Sequence, residues 1–260
     1  MNADTFDYFA ITFDVDWAPE PAIRMVADLC REAGIKSTWF VTHPSEALRE
    51  MANEPELFEL GLHPNFLPGT TQGSTDSEVL AYGRSLVHNA RSLRTHALVQ
   101  STHLMRLMAG EFGIRNDVSL FLSETPNLVP HSFYPGDDLP PIVRLPFFWE
   151  DDLQTFVPDR SWDIGNARYH VPGLKIFNFH PLFVYLNMDK MADYDKLKSG
   201  GKPLNALISE EMAPAIHEGA GTLTLLKGLL AHMRDSQGAS FTVSEMGDAW
   251  REFGKTNLHA

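Results

Sequence analysis

The chain has 260 residues, 43% of them apolar and 21% charged, and its formal net charge is −13. That length suits one large domain or two small ones, and the apolar share is ample for a core. An acidic balance with no basic stripe excludes a nucleic-acid binder, and no apolar run is long enough to span a bilayer.

The N-terminal stretch "MNADTFDYFAITFDVDW" lacks a positive region and carries acids within its apolar run, so it does not read as a secretory signal. Cys30 is the only cysteine, which rules out an internal disulfide and makes a cytoplasmic location the expectation. Cys30 itself reads as a buried helix residue.

The first half alternates between two periodicities. Residues 8–16, "YFAITFDVD", read as a strand. "PEPAIRMVADLCREAG" then reads as a helix, with Pro19 and Pro21 at its start and Gly34 after its end. "KSTWFVT" (36–42) is a second strand and "PSEALREMA" a short helix. "ELGLHP" (59–64) is a third strand, stopped by Pro64. A helix follows, opened by the capping-box pair Thr75 and Glu78. "SLRTH" (92–96) is a fourth strand, "THLMRLMAGEFG" the next helix and "VSLFL" (118–122) a fifth strand. Residues 124–175 are irregular, with one strand in "RLPFFWEDD" (144–152). "LKIFNFHPLFVYL" (174–186) reads as a strand, "TLTLLKGLLAHMRD" (222–235) as a long helix, and "SFTVSEM" and "GDAWREFGKT" as a final strand and helix.

Strands alternating with helices imply parallel pairing in an α/β layer or barrel. No internal repeat, low-complexity segment or linker divides the chain, so a single domain over 1–260 is expected. In such folds ligands lie at the carboxyl ends of the strands. Those ends carry Asp14, Asp16 and Trp17; His63; Arg94 and His96; Trp149, Glu150, Asp151 and Asp152; and His180.

Asp14 and Asp16, two apart, would share one face of a strand, and like charges that close need a cation or a proton between them. A rim of aspartates and imidazoles can hold Zn²⁺ or a similar ion. A carboxylate left free of the ion can take a proton from water, and a second imidazole can protonate a leaving group. Each residue also has a plain structural use: Asp14 and Asp16 as caps or loop anchors, His63, His96 and His103 as satisfied loop or helix residues, and His43 and His88 as surface residues. Trp17, Trp39 and Trp149 are more often core than platform.

These residues resemble the polysaccharide deacetylases of the NodB-homology type, carbohydrate esterase family 4. "TFDVDW" is similar to that family's first motif, "ELGLHPNFL" to its second, and "LRTHALVQSTHLMRLMAGEFGIRNDVSL" to its third. "LPFFWEDD" resembles the fourth and "FNFHP" the fifth. The likeness extends over about residues 8–250 and is greatest to a divergent branch among lipopolysaccharide O-antigen biosynthesis proteins.

The resemblance implies a distorted (β/α) barrel of about seven parallel strands. It implies Asp14 as general base, Arg94 as the residue that orients it and His180 as general acid. Asp16 and His63 become ligands of a divalent metal, with zinc the expected ion. The chain departs from the family twice. The first motif is D-x-D in place of adjacent aspartates, and the second-motif histidine expected four residues after His63 is Leu67. His96 is the stronger candidate for the missing donor and His103 the weaker; otherwise the metal is held weakly or not at all.

Two functional readings follow. One is a metal-dependent hydrolase that removes an acyl group from an acetamido sugar in a glycan or glycan precursor. The other is a catalytically inactive carbohydrate-binding protein on the same scaffold, with Trp17 and Trp149 stacking on sugar rings. Oligomeric state is not legible.

Overall fold

The computed structural model describes residues 6–236 and 238–257; the first five and last three residues of the expected domain, and Gln237, lie outside it. The alternating half runs β1 (Phe9–Asp14), α1 (Glu20–Ala33), β2 (Ser37–Val41), α2 (Glu46–Met51), β3 (Phe58–Leu62), α3 (Asp76–Leu86), β4 (Ser92–Leu93), α4 (Thr102–Gly110) and β5 (Asn116–Asp117). The middle holds β6 (His131–Phe133), β7 (Ile142–Arg144), β8 (Trp149–Glu150), α5 (Asp151–Gln154) and β9 (Lys175–Phe179). The remainder is helical: α6 (Pro181–Leu186), α7 (Met191–Lys198), α8 (Ser209–Met212), α9 (Thr222–Asp235) and α10 (Val243–Asn257).

The strand order is β6-β7-β5-β4-β3-β2-β1-β9-β8, with every neighbouring pair parallel except β6 with β7. β7 and β8 belong to one extended stretch that joins the two sides of the sheet. Its first half bonds toward β5, through the Leu145 N–H to the Asp117 carbonyl at 2.9 Å. Its second half bonds to β9, through the Phe148 N–H to the Ile176 carbonyl at 2.8 Å. Counting that stretch once, seven parallel staves form a ring: β1, β2, β3, β4, β5, β7 with β8, and β9. The distorted barrel expected from the motifs is therefore present, and β6 is an antiparallel addition.

β1 and β2 are almost wholly buried, with Ile11, Phe13, Trp39 and Val41 on one face and Thr12, Asp14 and Thr38 among Ala10 and Phe40 on the other. On the outer side Phe13 stacks on Trp39 with ring centroids 4.2 Å apart. α1 buries Ala22, Ile23, Val26, Ala27 and Cys30, and ends on Gly34 at φ +65°. Full burial of Ile23 and Val26 contributes roughly 1.5–3 kcal/mol each. Burial also pushes the Cys30 thiol up to about 12, so this cysteine is a core residue as expected. Gly61 in β3 is required by packing: a Cβ there would lie 2.8 Å from the Phe40 ring and the Ser92 carbonyl.

Three strand expectations change. β9 stops at Phe179, and Pro181 opens α6, because proline lacks an N–H for the ladder but fits the first turn of a helix. Val243–Met246, expected as strand, is the first turn of α10, capped by the Thr242 N–H to Glu245 Oε2 bond of 2.9 Å. β4 and β5 are two residues long, and of the stretch 118–122 only Phe121 makes a bridge, to Phe147. The capping box of Thr75 and Glu78 is formed at the start of α3.

Candidate active site

The barrel interior is polar at one end. Alternation along β1 places Thr12 and Asp14 on one face, and alternation through β9 places Asn178 and His180 on one face. Arg94, which follows β4, crosses the interior and is fully buried. Its guanidinium lies between the Phe40 and Phe147 rings, at 4.9 and 4.3 Å from their centroids. It donates to Asp14 Oδ1, to Thr12 Oγ1 and to the Val118 carbonyl, each at 3.0 Å, and also to Asn178 Oδ1. Asn178 in turn donates to Asp14 Oδ2 at 3.0 Å and to Glu150 Oε1 at 2.9 Å. Both oxygens of Asp14 are thus held from below.

Asp16 reaches the same site by another route. β1 ends at Asp14, and Asp16 and Trp17 have φ values of +41° and +54°. A left-handed tryptophan is strained, and such strain persists only where surrounding contacts impose it. The Trp17 N–H donates to Thr42 Oγ1 at 3.0 Å, and the Ala18 N–H to the Val15 carbonyl at 2.7 Å, fixing the turn.

The turn brings Asp16 Oδ1 to 3.0 Å from both His63 Nε2 and His96 Nδ1. Those two nitrogens are 3.4 Å apart. His63 Nδ1 donates to the Arg94 carbonyl at 2.8 Å, which turns Nε2 toward the cluster. Burial disfavours a charge on Asp16, but hydrogen bonds from His63 and His96 outweigh it and hold the carboxyl well below its usual range. The same contest at His96, burial against Asp16, ends with its pKa raised.

His180 stands on the opposite wall, with Nε2 3.5 Å from Asp16 Oδ2. Asp151 grips it twice, accepting from the His180 backbone N–H at 2.9 Å and from Nδ1 at 2.6 Å. Burial works against the imidazolium, yet Asp151 raises His180 well above the ordinary histidine value. Burial lifts Asp151 itself to about 6 and Glu150 to about 8.

Asp14, Asp16, His63, His96 and His180 line one cavity of about 300 Å³, together with Thr95, Glu150 and Asp152. Arg94 lies beneath it. All six residues singled out from the sequence are therefore gathered at one end of the barrel. Leu67 is outside this cluster and 39% exposed. His96 is the imidazole that stands beside His63 and Asp16, whereas the His103 side chain is 78% exposed, with Asp76 at 3.9 Å. Trp149 is fully buried against Phe177 and Phe179, so it is no sugar platform. His43, expected at the surface, is also buried. Asn178 had no role assigned from the sequence and Asp151 only a place in an acidic strand end; the two-residue spacing of Asn178 from His180 was the available signal.

The family model of the WbmS-like polysaccharide deacetylases matches residues 11–198. The crystal structure of WbmS from Bordetella bronchiseptica, described as a polysaccharide deacetylase involved in O-antigen biosynthesis, is 30% identical with a TM-score of 0.77. The match covers 87% of this chain and 91% of that one. The peptidoglycan deacetylase PdaC from Bacillus subtilis shares the fold at 11% identity and a TM-score of 0.51, over 99% of this chain and 98% of its own. No curated protein sequence matches the chain. With that coverage, and with the motif residues converging on one cavity, the chain belongs to the WbmS-like polysaccharide deacetylase family.

Proposed function

We propose that this single-domain chain is a metal-dependent hydrolase that removes an acetyl group from an N-acetylated amino sugar, in a glycan or glycan precursor of the O-antigen type. The observation that carries the reading is the convergence of His63 Nε2, His96 Nδ1 and Asp16 Oδ1 between the Asp14–Arg94 pair and the His180–Asp151 pair.

The donor set fits a divalent metal. Its three atoms lie within 4.8 Å of one another, and two imidazole nitrogens with one carboxylate oxygen are a common zinc set. His63 has its other nitrogen committed to a backbone carbonyl, the arrangement that orients a ligating imidazole. Asp16, His63 and His96 would hold the ion, which when bound would polarise the amide carbonyl.

Asp14 then takes a proton from the attacking water, with its carboxylate orientation fixed by Arg94 and Asn178. Water oxygen bonds to the acetamide carbon. His180, charged because Asp151 faces it, gives its Nε2 proton to the departing nitrogen as the C–N bond breaks. Acetate and a free amine leave. The binding-only alternative rested on the loss of an imidazole at Leu67, with Trp17 and Trp149 as platforms; His96 beside His63 offers the missing donor and Trp149 is buried, while Trp17 lines a cavity that serves either reading.

The test is acetate release from N-acetylated amino sugars by metal-loaded protein, with Asp14→Asn and His180→Ala alongside. Loss of turnover in both variants, with metal content retained, is expected. Saturable sugar binding by the metal-loaded parent with no acetate released from any sugar overturns the hydrolase in favour of the binding protein.

A further inference from the structure

Asp16 and His96 also form part of the wall of a second cavity, of about 440 Å³, which adjoins the first. Its other walls include Trp17, Tyr194, Lys198 and Lys202. The volume is that of an ordinary small-molecule site. Trp17 is turned into this cavity by the strained backbone that also places Asp16, and its ring meets His96 edge-on at 5.4 Å. The reaction centre and this wall are therefore built by one turn.

That wall carries two of the chain's eight lysines, Lys198 and Lys202, against one carboxylate, Asp16, in a sequence whose net charge is −13. Lys202 is anchored by both oxygens of Glu211, at 2.9 and 2.6 Å. Among the described residues Lys198 has no carboxylate partner, and its ammonium lies 5.6 Å from the centre of the Tyr194 ring. The reaction cavity is lined by Asp14, Asp16, Glu150 and Asp152 with the imidazoles of His63, His96 and His180, and among the described residues no lysine lines it. Lys198 therefore offers an anionic group a partner beside the reaction cavity, which would orient a ligand that spans both.

We propose that the second cavity selects an amino sugar bearing an anionic group, a carboxylate or a phosphate, which Lys198 engages while the acetamido group lies at Asp16 and His96. This rests on the deacetylase reading. Trp17 and Tyr194 supply the apolar faces against which a sugar ring packs, and Lys202 adds positive potential damped by Glu211.

The experiment compares N-acetylglucosamine, N-acetylglucosamine 1-phosphate and N-acetylglucosaminuronic acid with the metal-loaded protein. Binding is read by calorimetry at low and high salt, and turnover by acetate release. The parent should bind at least one anionic sugar about tenfold or more tightly than the neutral one, with the preference shrinking in high salt. Whichever anion is favoured identifies its source. Lys198→Glu should abolish the preference in binding and in kcat/KM, whereas Lys255→Gln, a loss of charge on α10 outside both cavities, should leave it intact. Equal affinity for neutral and anionic sugars, no binding of either anion, or a preference that survives Lys198→Glu overturns the proposal. A lysine-dependent preference with no acetate released from any sugar would sink the deacetylase reading alone.

Discussion

Arg94 Nη1 meets Asp14 Oδ1 at 3.0 Å inside the barrel, and neither side chain has appreciable contact with solvent. This pair answers the question raised by two acids at one strand end: Asp14 faces a guanidinium beneath it, and Asp16 lies 3.0 Å from each of two imidazoles above it. Removing one partner of a buried pair leaves an uncompensated charge, at a cost of about 3–5 kcal/mol. Arg94→Met should therefore lower the melting temperature sharply, and Arg94→Lys less so. Lysine keeps the charge but cannot reproduce the fork that reaches Asp14, Thr12 and the Val118 carbonyl at once. Thermal denaturation of both variants checks the order; equal melting temperatures for parent and Arg94→Met would remove the pair from the stability account.

Much of this arrangement was legible in the sequence, for identifiable reasons. The first three strands follow from apolar runs ending on turn residues, and α1 follows from its spacing and Gly34. The site residues share strand ends, and parallel α/β folds gather strand ends at one rim. What could not be read depends on distant partners. Alternation put Asp14 and Asp16 on one face, but Asp16 arrives through a left-handed turn held by Thr42, which lies on the next strand's loop. The stretch 144–152 reads as one strand with one set of neighbours, whereas the segment from β7 to β8 leaves β5 and joins β9 midway. Which of His96 and His103 stands beside His63 depends on packing: the His96 backbone N–H bonds to the Pro64 carbonyl at 2.9 Å, which ties its loop to the one carrying His63.

His96 as the third donor gives a second prediction. His96→Ala should weaken divalent-metal affinity by 10–100-fold or more, since even partners behind the ligands contribute about that much. His103→Ala should leave it unchanged, because that side chain points into solvent beside Asp76. Metal content after dialysis against a competing chelator measures both. Equal retention by His96→Ala and the parent would take His96 out of the ligand set.

Asp151 sets the proton on His180. Burial alone would lower the imidazole's pKa, and Asp151 reverses this through its charge and its hydrogen bond. Asp151→Asn keeps an acceptor near Nδ1 but removes the charge, so His180 should lose its proton at lower pH. The alkaline limb of kcat against pH should move down, with kcat at neutral pH falling by about 10²–10⁴. A smaller kcat with an unshifted alkaline limb would mean that Asp151 only positions the ring.

Glu150 gives a prediction about stability. Burial, and then the neighbouring Asp152, lifts its carboxyl from an ordinary 4.5 to about 8. A carboxyl with a raised folded pKa binds its proton more tightly in the folded chain than in the unfolded one. The folded state then loses stability as pH rises from about 4.5 to about 8, and the loss is complete above that window. Glu150→Gln retains an oxygen to accept the Asn178 N–H and never ionises. It should melt close to the parent near about pH 5 and several degrees higher near about pH 9, at roughly 2–4 °C per kcal/mol for a chain of this size. Thermal denaturation at the two pH values decides it. No advantage for the variant at the alkaline end would show that Glu150 ionises in the folded state without penalty, with Arg94 beyond Asn178 supplying the compensating charge, and an equal advantage at both ends would show an effect unrelated to its titration.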